Sequence, residues 1–160
     1  MRDGLLYTAA GDSSKIRVTA LTDRGSERVV RWTSPDREVR PEHLQAHRAE
    51  TFRRFEDDEY MTQRLQKVWN TMPSADRFPP LGDVMADEAG RTWIKQYPRP
   101  GHADQVWWLF DVDGEFQCAA RFPNRFDPLD FRAESVLGLF RDSLDIEFIE
   151  VRSVSHGTDR

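Results

Sequence analysis

The sequence predicts a mainly β protein made of antiparallel sheets, with one two-helix insertion. Three observations carry this. Short runs that alternate apolar and polar residues, separated by turn residues, occupy both the first forty residues and everything after residue 80. Helical periodicity is confined to residues 41–73 and bounded by prolines on both sides. A unit of short strand, turn and longer strand recurs in three places.

Taken in order, "GLLYTAA" (4–10) is a short apolar run that ends at the turn pair Gly11-Asp12, and "KIRVTALT" (15–22) sets Ile16, Val18 and Ala20 against Arg17 and Thr19. Asp23-Arg24-Gly25 supplies a turn with a residue suited to positive φ, and "ERVVRW" (27–32) completes three successive antiparallel strands. Pro41 suits the first turn of a helix, where its missing N–H would be unpaired anyway. Leu44, His47, Thr51 and Phe55 then form one stripe. Met61, Leu65, Val68 and Met72 form another after the acidic break Glu56-Asp57-Asp58, which offers a cap. The pattern predicts helices over 42–55 and 58–72, stopped by Pro73 and then Pro79-Pro80. Strands resume with "GDVMAD", "RTWIKQY", "QVWWLF" and "EFQCAARF". After a proline-containing connection over 123–128 come "ESVLGLF" (134–140) and "DIEFIEVRSV" (145–154). Residues 1–154 are read as one domain carrying the insertion 41–73, and 155–160 as a disordered polar tail.

The recurrence becomes visible when "GLLYTAAGDSSKIRVTALTDRG", "GRTWIKQYPRPGHADQVWWLFDVDG" and "ESVLGLFRDSLDIEFIEVRSV" are set side by side. Trp93 and Leu137 lie 44 residues apart, and Leu6 and Trp93 lie 87 apart with the helical insertion between them. A period of about 40–50 residues is that of propeller blades, whose few strands cannot cover both of their own faces and therefore stack on neighbours. In "QVWWLF", Val106, Trp108 and Phe110 point to one side, and Trp107 and Leu109 to the other. Such a strand is apolar on both faces and belongs between two other sheets. "FQCAARF" places Phe116, Cys118, Ala120 and Phe122 on one face, as suits an outer strand. The fold class is thus antiparallel and propeller-like, with about two and a half blades on a period of this kind.

The order of "VMADEAGRTWIKQYPRPG", "WWLFDVDGEF" and "SVLGLFRDSLDIEFIEVRSV" resembles the C-terminal blades of bacterial six-bladed β-propeller proteins of the NHL or TolB-like kind. The upstream "GLLYTAAGDSSKIRVTALTDRG", the charged helical insertion and "PPLGDVMADEAG" resemble the preceding blade, so the resemblance covers roughly residues 3–154. It implies a partial propeller without the N-terminal blades, completed by another chain or by self-association. Its members include binding and scaffold proteins. They also include lactonase-like or lyase-like enzymes with a metal in the axial channel, the alternative activity it implies. Full-length relatives look exported to the periplasm or beyond, whereas this chain shows no signal peptide pattern.

Composition narrows the partners. A formal charge of −5 and a pI near 5.4 provide no general basic field for a phosphate backbone, so nucleic acid is not expected. No run approaches the eighteen apolar residues of a membrane span. Cys118 is the single cysteine, which excludes an internal disulfide; on its apolar strand it reads as a packed core thiol. No P-loop, G-x-S-x-G elbow or dinucleotide glycine pattern is present, and no cofactor is expected.

The residues open to chemistry are few. Asp111-Val112-Asp113-Gly114 has the clustered carboxylates of a calcium loop but lacks the later acidic positions, and reads as a hairpin turn. His43 and His47 are four apart on a predicted helix with Glu50 one turn on, the best metal-like spacing in the chain. Leu44 stands where a zincin needs its glutamate, so an exposed helical face is the competing reading. Asp142, Asp145 and Glu147 crowd the last turn without a spacing that makes them an acid–base pair. His102 falls in a loop and His156 in the tail. Trp32, Trp69, Trp107 and Trp108 are many for this length and are the candidate interface, since a large exposed apolar face marks a contact surface.

Overall fold

The computed structural model describes residues 4–10, 12–21 and 25–154. The expected turns at Gly11 and at Asp23-Arg24, and the tail carrying His156, lie outside them. Its elements are β1 (Leu5–Ala9), β2 (Lys15–Ala20), β3 (Glu27–Arg31), α1 (Pro41–Arg53), α2 (Glu59–Thr71), β4 (Asp83–Ala86), β5 (Thr92–Lys95), β6 (Asp104–Phe110), β7 (Phe116–Pro123), β8 (Phe126–Phe131), β9 (Ser135–Arg141) and β10 (Glu147–Ser153). They form three open antiparallel sheets: a first of order β1-β2-β3, a middle of order β4-β5-β6-β7, and a third of order β8-β9-β10.

The alternation of β6 dictates how these sheets meet. Trp107 and Leu109 join Trp93 and Phe122 of the middle sheet against Phe126, Phe131 and Val136 of the third. On the opposite face, Phe110 joins Ile94 against Ile16, Val18 and Val30 of the first sheet. The middle sheet therefore packs against another sheet on each face, as the two-sided apolar pattern of "QVWWLF" requires. Fully burying a side chain of this size contributes about 1.5–3 kcal/mol, so these two clusters are the main source of cohesion between sheets.

Polar anchors add register to this burial. Arg28 on β3 donates from Nη1 to the Val112 carbonyl (2.7 Å) and from Nη2 to the Gly90 carbonyl (2.7 Å), tying the first sheet to two turns of the middle one. Across the other interface, the buried Gln105 carboxamide donates to the carbonyls of Pro123 (3.2 Å) and Phe126 and accepts from Trp107 Nε1 (3.0 Å). Its polar atoms are all occupied, which is what permits an amide in this core.

Two strand details depart from the sequence reading. The connection over 123–128 runs into a strand, β8. Pro128 reads as a breaker, but β8 lies at a sheet edge, where a missing N–H costs no ladder bond, and its register with β9 shifts between Pro128 and Asp130. In β7 the register also shifts: Leu109 faces Cys118 while Phe110 faces Phe116, so one residue too many lies between them. This bulge moves Phe116 off the face shared by Cys118, Ala120 and Phe122 and sets it edge-on to Phe110, with ring centroids 5.7 Å apart.

The insertion is an antiparallel helical pair. Pro41 stands in the first turn of α1, and the Asp58 carboxylate caps α2 by accepting from the Met61 amide (2.9 Å). The helices start and end within two residues of the expected bounds. They meet through Trp69, whose ring lies 5.6 Å from His47 and 6.3 Å from Phe52. Neither helix buries a residue fully, and Leu44, Val68 and Met72 of the expected stripes are exposed. At its base the insertion is closed by an antiparallel bridge between Glu38 and Arg77.

Candidate functional site

A cleft of about 1000 Å³ opens where the three-stranded first sheet stops short of covering the four-stranded middle one. Its wall is the β6–β7 face carrying Val106, Trp108, Phe116 and Arg121, and it is bounded by Trp32 at the end of β3 and by Tyr97. Strand parity explains the set: Val106 pairs with Arg121 and Trp108 with Ala119, so these side chains share the face turned toward the first sheet. Trp32 lies 6.4 Å from Trp108 and 6.5 Å from the buried Phe110, forming a continuous aromatic cluster.

One donor in this cleft is unspent: Arg121 is exposed and makes no hydrogen bond or ion pair with another side chain among the described residues, whereas the Nε1–H of Trp32, which has no partner among them either, is buried. Apolar walls with a few placed polar groups are the usual chemistry of a binding pocket. Aromatic rings beside a guanidinium with no partner among the described residues suit a ligand with an apolar body and an anionic group.

The four tryptophans of the sequence reading therefore separate. Trp32 and Trp108 meet in the cleft. Trp69 belongs to the helical pair, and Trp107 is only 1% exposed, packed under Lys95 in the inner core, so it presents no contact surface. The correction has a simple cause: alternation places Trp107 and Trp108 on opposite faces, and only one of those faces is fully covered. Tyr97, Phe116 and Arg121 were not among the candidates. Arg121 is the cation that alternation puts on the Val106 and Trp108 face, a signal visible in the strand pattern.

His43, His47 and Glu50 do not converge. His43 Nδ1 accepts from the Arg40 amide (3.1 Å) and its ring stands edge-on to Phe78 at 5.1 Å, while His47 packs on Trp69 and Glu50 lies 4.0 Å from Arg54. Among the described residues no group of three or more His, Cys, Asp or Glu is placed to hold a metal ion. Cys118 packs against the inner core, and burial pushes its thiol above the ordinary range, with the Arg91 charge pulling the other way. Desolvation keeps this thiol protonated, the opposite of activation.

The acidic turn resolves as structure. Asp111 Oδ1 accepts from the amides of Asp113 (3.0 Å) and Glu115 (2.9 Å), and its Oδ2 accepts from Gln117 Nε2 (2.7 Å). The same geometry recurs where Asp87 Oδ1 takes the amides of Ala89 and Arg91, and where Asp142 Oδ1 takes those of Leu144 and Ile146. The positive-φ positions of the three turns are Gly90, Gly114 and Asp145. Gly114 is required twice over, because a Cβ there would also stand 3.1 Å from the Val29 carbonyl oxygen. Asp142 and Asp145 are thus turn residues, and Glu147 pairs with Arg141 at 2.9 Å.

The hydrogen bonds that the Asp111 carboxylate accepts, first from the Glu115 amide, hold its pKa below the usual carboxylate range. A depressed folded pKa contributes stability that is present above the unfolded value of about 3.9 and is lost as pH falls through the folded one. Asp111→Asn keeps an acceptor but cannot titrate. The stability gap between wild type and this variant is expected to be constant near neutral pH and to close below about pH 4, read from urea unfolding at a series of pH values. A gap that widens on acidification would contradict the assignment.

Comparison with family models, curated proteins and solved structures finds no match for this chain. Its functional reading rests on the geometry above.

Proposed function

We propose that the protein is a non-enzymatic binding module. Its three sheets act as consecutive blades of a partial β-propeller, and its aromatic cleft takes a ligand with an apolar body and an anionic group. The observation that supports this best is the half-buried aromatic pair of Trp32 and Trp108 beside Arg121, which has no ion pair among the described residues. The propeller reading is supported by the stacking of a four-stranded sheet between two others and by the Asp-anchored turn repeated at the β4–β5, β6–β7 and β9–β10 hairpins.

The test uses 1-anilinonaphthalene-8-sulfonate, whose fused rings and sulfonate match the cleft. Titration monitored by dye fluorescence and tryptophan quenching is expected to show saturable binding. Arg121→Glu and Trp108→Ala should each weaken it at least about tenfold, the loss of one charge-assisted contact or one aromatic contact. Val151→Lys, on the distant outer face of the third sheet, should leave it unchanged. Wild-type affinity in either cleft variant, or loss of binding in Val151→Lys, would overturn the assignment.

A further inference from the structure

Each of the three sheets is open, and an open edge presents a row of backbone N–H and C=O groups with no strand beside it. Five of the six described edge strands are short or interrupted. β1 and β3 have five residues and β4 has four; β7 carries a bulge and ends at Pro123; β8 holds Pro128 and a register shift. β10 is the exception, with seven residues, an unbroken register against β9, and neither proline nor lysine. Its Ile149 and Val151 are 67% and 65% exposed, and Phe148 is 49% exposed. A long apolar edge without such interruptions is a template for pairing with another strand.

The neighbouring bonds fix which groups of β10 face outward. The Arg141 amide donates to the Arg125 carbonyl and the Ser135 carbonyl accepts from the Arg132 amide, so odd-numbered residues of β9 turn toward β8 and even-numbered ones toward β10. The Val154 amide, donating to the Glu134 carbonyl (2.9 Å), agrees. Even-numbered residues of β10 therefore serve the ladder. The N–H and C=O of Ile149, Val151 and Ser153 point away from the sheet, with no partner among the described residues. Alternation puts Phe148, Glu150, Arg152 and Val154 on the face turned to the core, where the Arg152 guanidinium lies 4.6 Å from the Phe126 ring and 5.6 Å from that of Phe140. Arg152 also pairs with Glu150 at 3.1 Å, so both charges are held in place along the open edge.

We propose that two copies of this chain pair antiparallel through β10, in the register that sets Val151 opposite its own image, joining their third sheets into one. The outward N–H and C=O of Val151 then bond to those of the image, and those of Ile149 bond to those of Ser153 in the other copy. Side chains select this register. With Val151 on the two-fold axis, Glu150 of each copy faces Arg152 of the other, and Phe148 faces Val154. An axis at position 150 or 152 would oppose glutamate to glutamate or arginine to arginine, and one at 149 would set Phe148 against Glu150. The ion pair inside each copy is kept, so the four charges alternate around the axis. The same edge serves both copies, which closes the assembly at two. The contact makes no use of the cleft, so it stands or falls separately from dye binding.

Light scattering coupled to size exclusion is expected to give about twice the 18.7 kDa chain mass at high micromolar concentration. Glu150→Arg and Arg152→Glu should each raise the dissociation constant at least about tenfold, since two attractive cross-strand pairs become repulsive. Mixed in equal amounts, the two variants should form a heterodimer of near wild-type affinity, because opposite charges then face each other at both pairs again. Val151→Pro removes an N–H that serves no bond inside the chain, so this variant should fold and run as a monomer. Near-ultraviolet circular dichroism checks that each variant is folded; if a charge variant is not, Val151→Pro and the wild-type mass decide. A wild type that stays monomeric, a folded Val151→Pro variant that still dimerises, or folded charge variants that do not pair when mixed would each overturn the proposal.

Discussion

Asp87→Ala is expected to remove about 3 kcal/mol of stability, measured as a shift of the urea midpoint at unchanged slope. The side chain of Asp87 is completely buried. Its Oδ1 accepts from the amides of Ala89 and Arg91 (3.0 Å each), and its Oδ2 accepts from Arg91 Nε (2.6 Å) and Trp93 Nε1 (3.2 Å). Truncation strands all four donors, and a buried donor without a partner costs the full desolvation of that group. Arg91 keeps some access to water, with 28% of its side chain exposed, which sets the estimate at the lower end for a broken buried pair. Asp87→Asn should fall between wild type and alanine, because its amide can serve the two backbone donors but presents N–H to the guanidinium or the indole. A loss below about 1 kcal/mol for alanine would show that water repairs the site.

Phe131→Ala should cost about 3–5 kcal/mol, the usual range for emptying a buried aromatic position. Phe131 is fully buried and stacks on Trp93 with centroids 4.1 Å apart and an interplanar angle of 10°, while also touching Trp107 at 5.1 Å and Phe122 at 6.1 Å. With Phe126, which lies 5.4 Å from Phe122, it is one of the two rings through which the third sheet reaches the middle one. Against a total of about 5–15 kcal/mol for a domain, such a loss brings the protein near its threshold, so it is best read as a fall in unfolding midpoint under stabilising conditions. Tyr60→Ala, on an exposed site of α2, should stay within about 0.5 kcal/mol and serves as the control. If both variants shifted the midpoint equally, burial between the sheets would not be what holds them together.

How far the sequence anticipates this arrangement depends on the distance over which each signal acts. The doubled apolar pattern of β6 is local, and it correctly implied a sheet on either side. The Asp-x-Asp-Gly turn is local too, since its carboxylate serves amides two and four residues ahead. The strand β8 was hidden because Pro128 opposes strand structure everywhere except at an edge, and edge position is a property of the assembled sheet. Phe116 was assigned to the wrong face for a similar reason: a bulge resets alternation, and nothing in "EFQCAARF" marks it. The cleft was legible only in part. Trp32 and Trp108 were named, but their separation from Trp107 depends on the first sheet having one strand fewer than its neighbour.

The bridge at the base of the helical pair has its own consequence. The chain leaves the sheets at Glu38 and returns at Arg77, directly opposite, with the Val39 amide donating to the Asp76 carbonyl (3.0 Å) and the Phe78 amide to the Arg37 carbonyl (2.8 Å). Whatever lies between those two points is closed off where it starts. Doubling the length of such a loop costs only about 0.6 kcal/mol in closure entropy. The stacked sheets are therefore nearly indifferent to what is mounted there, and a segment of another length or kind could be exchanged for the helices while the three sheets keep their places.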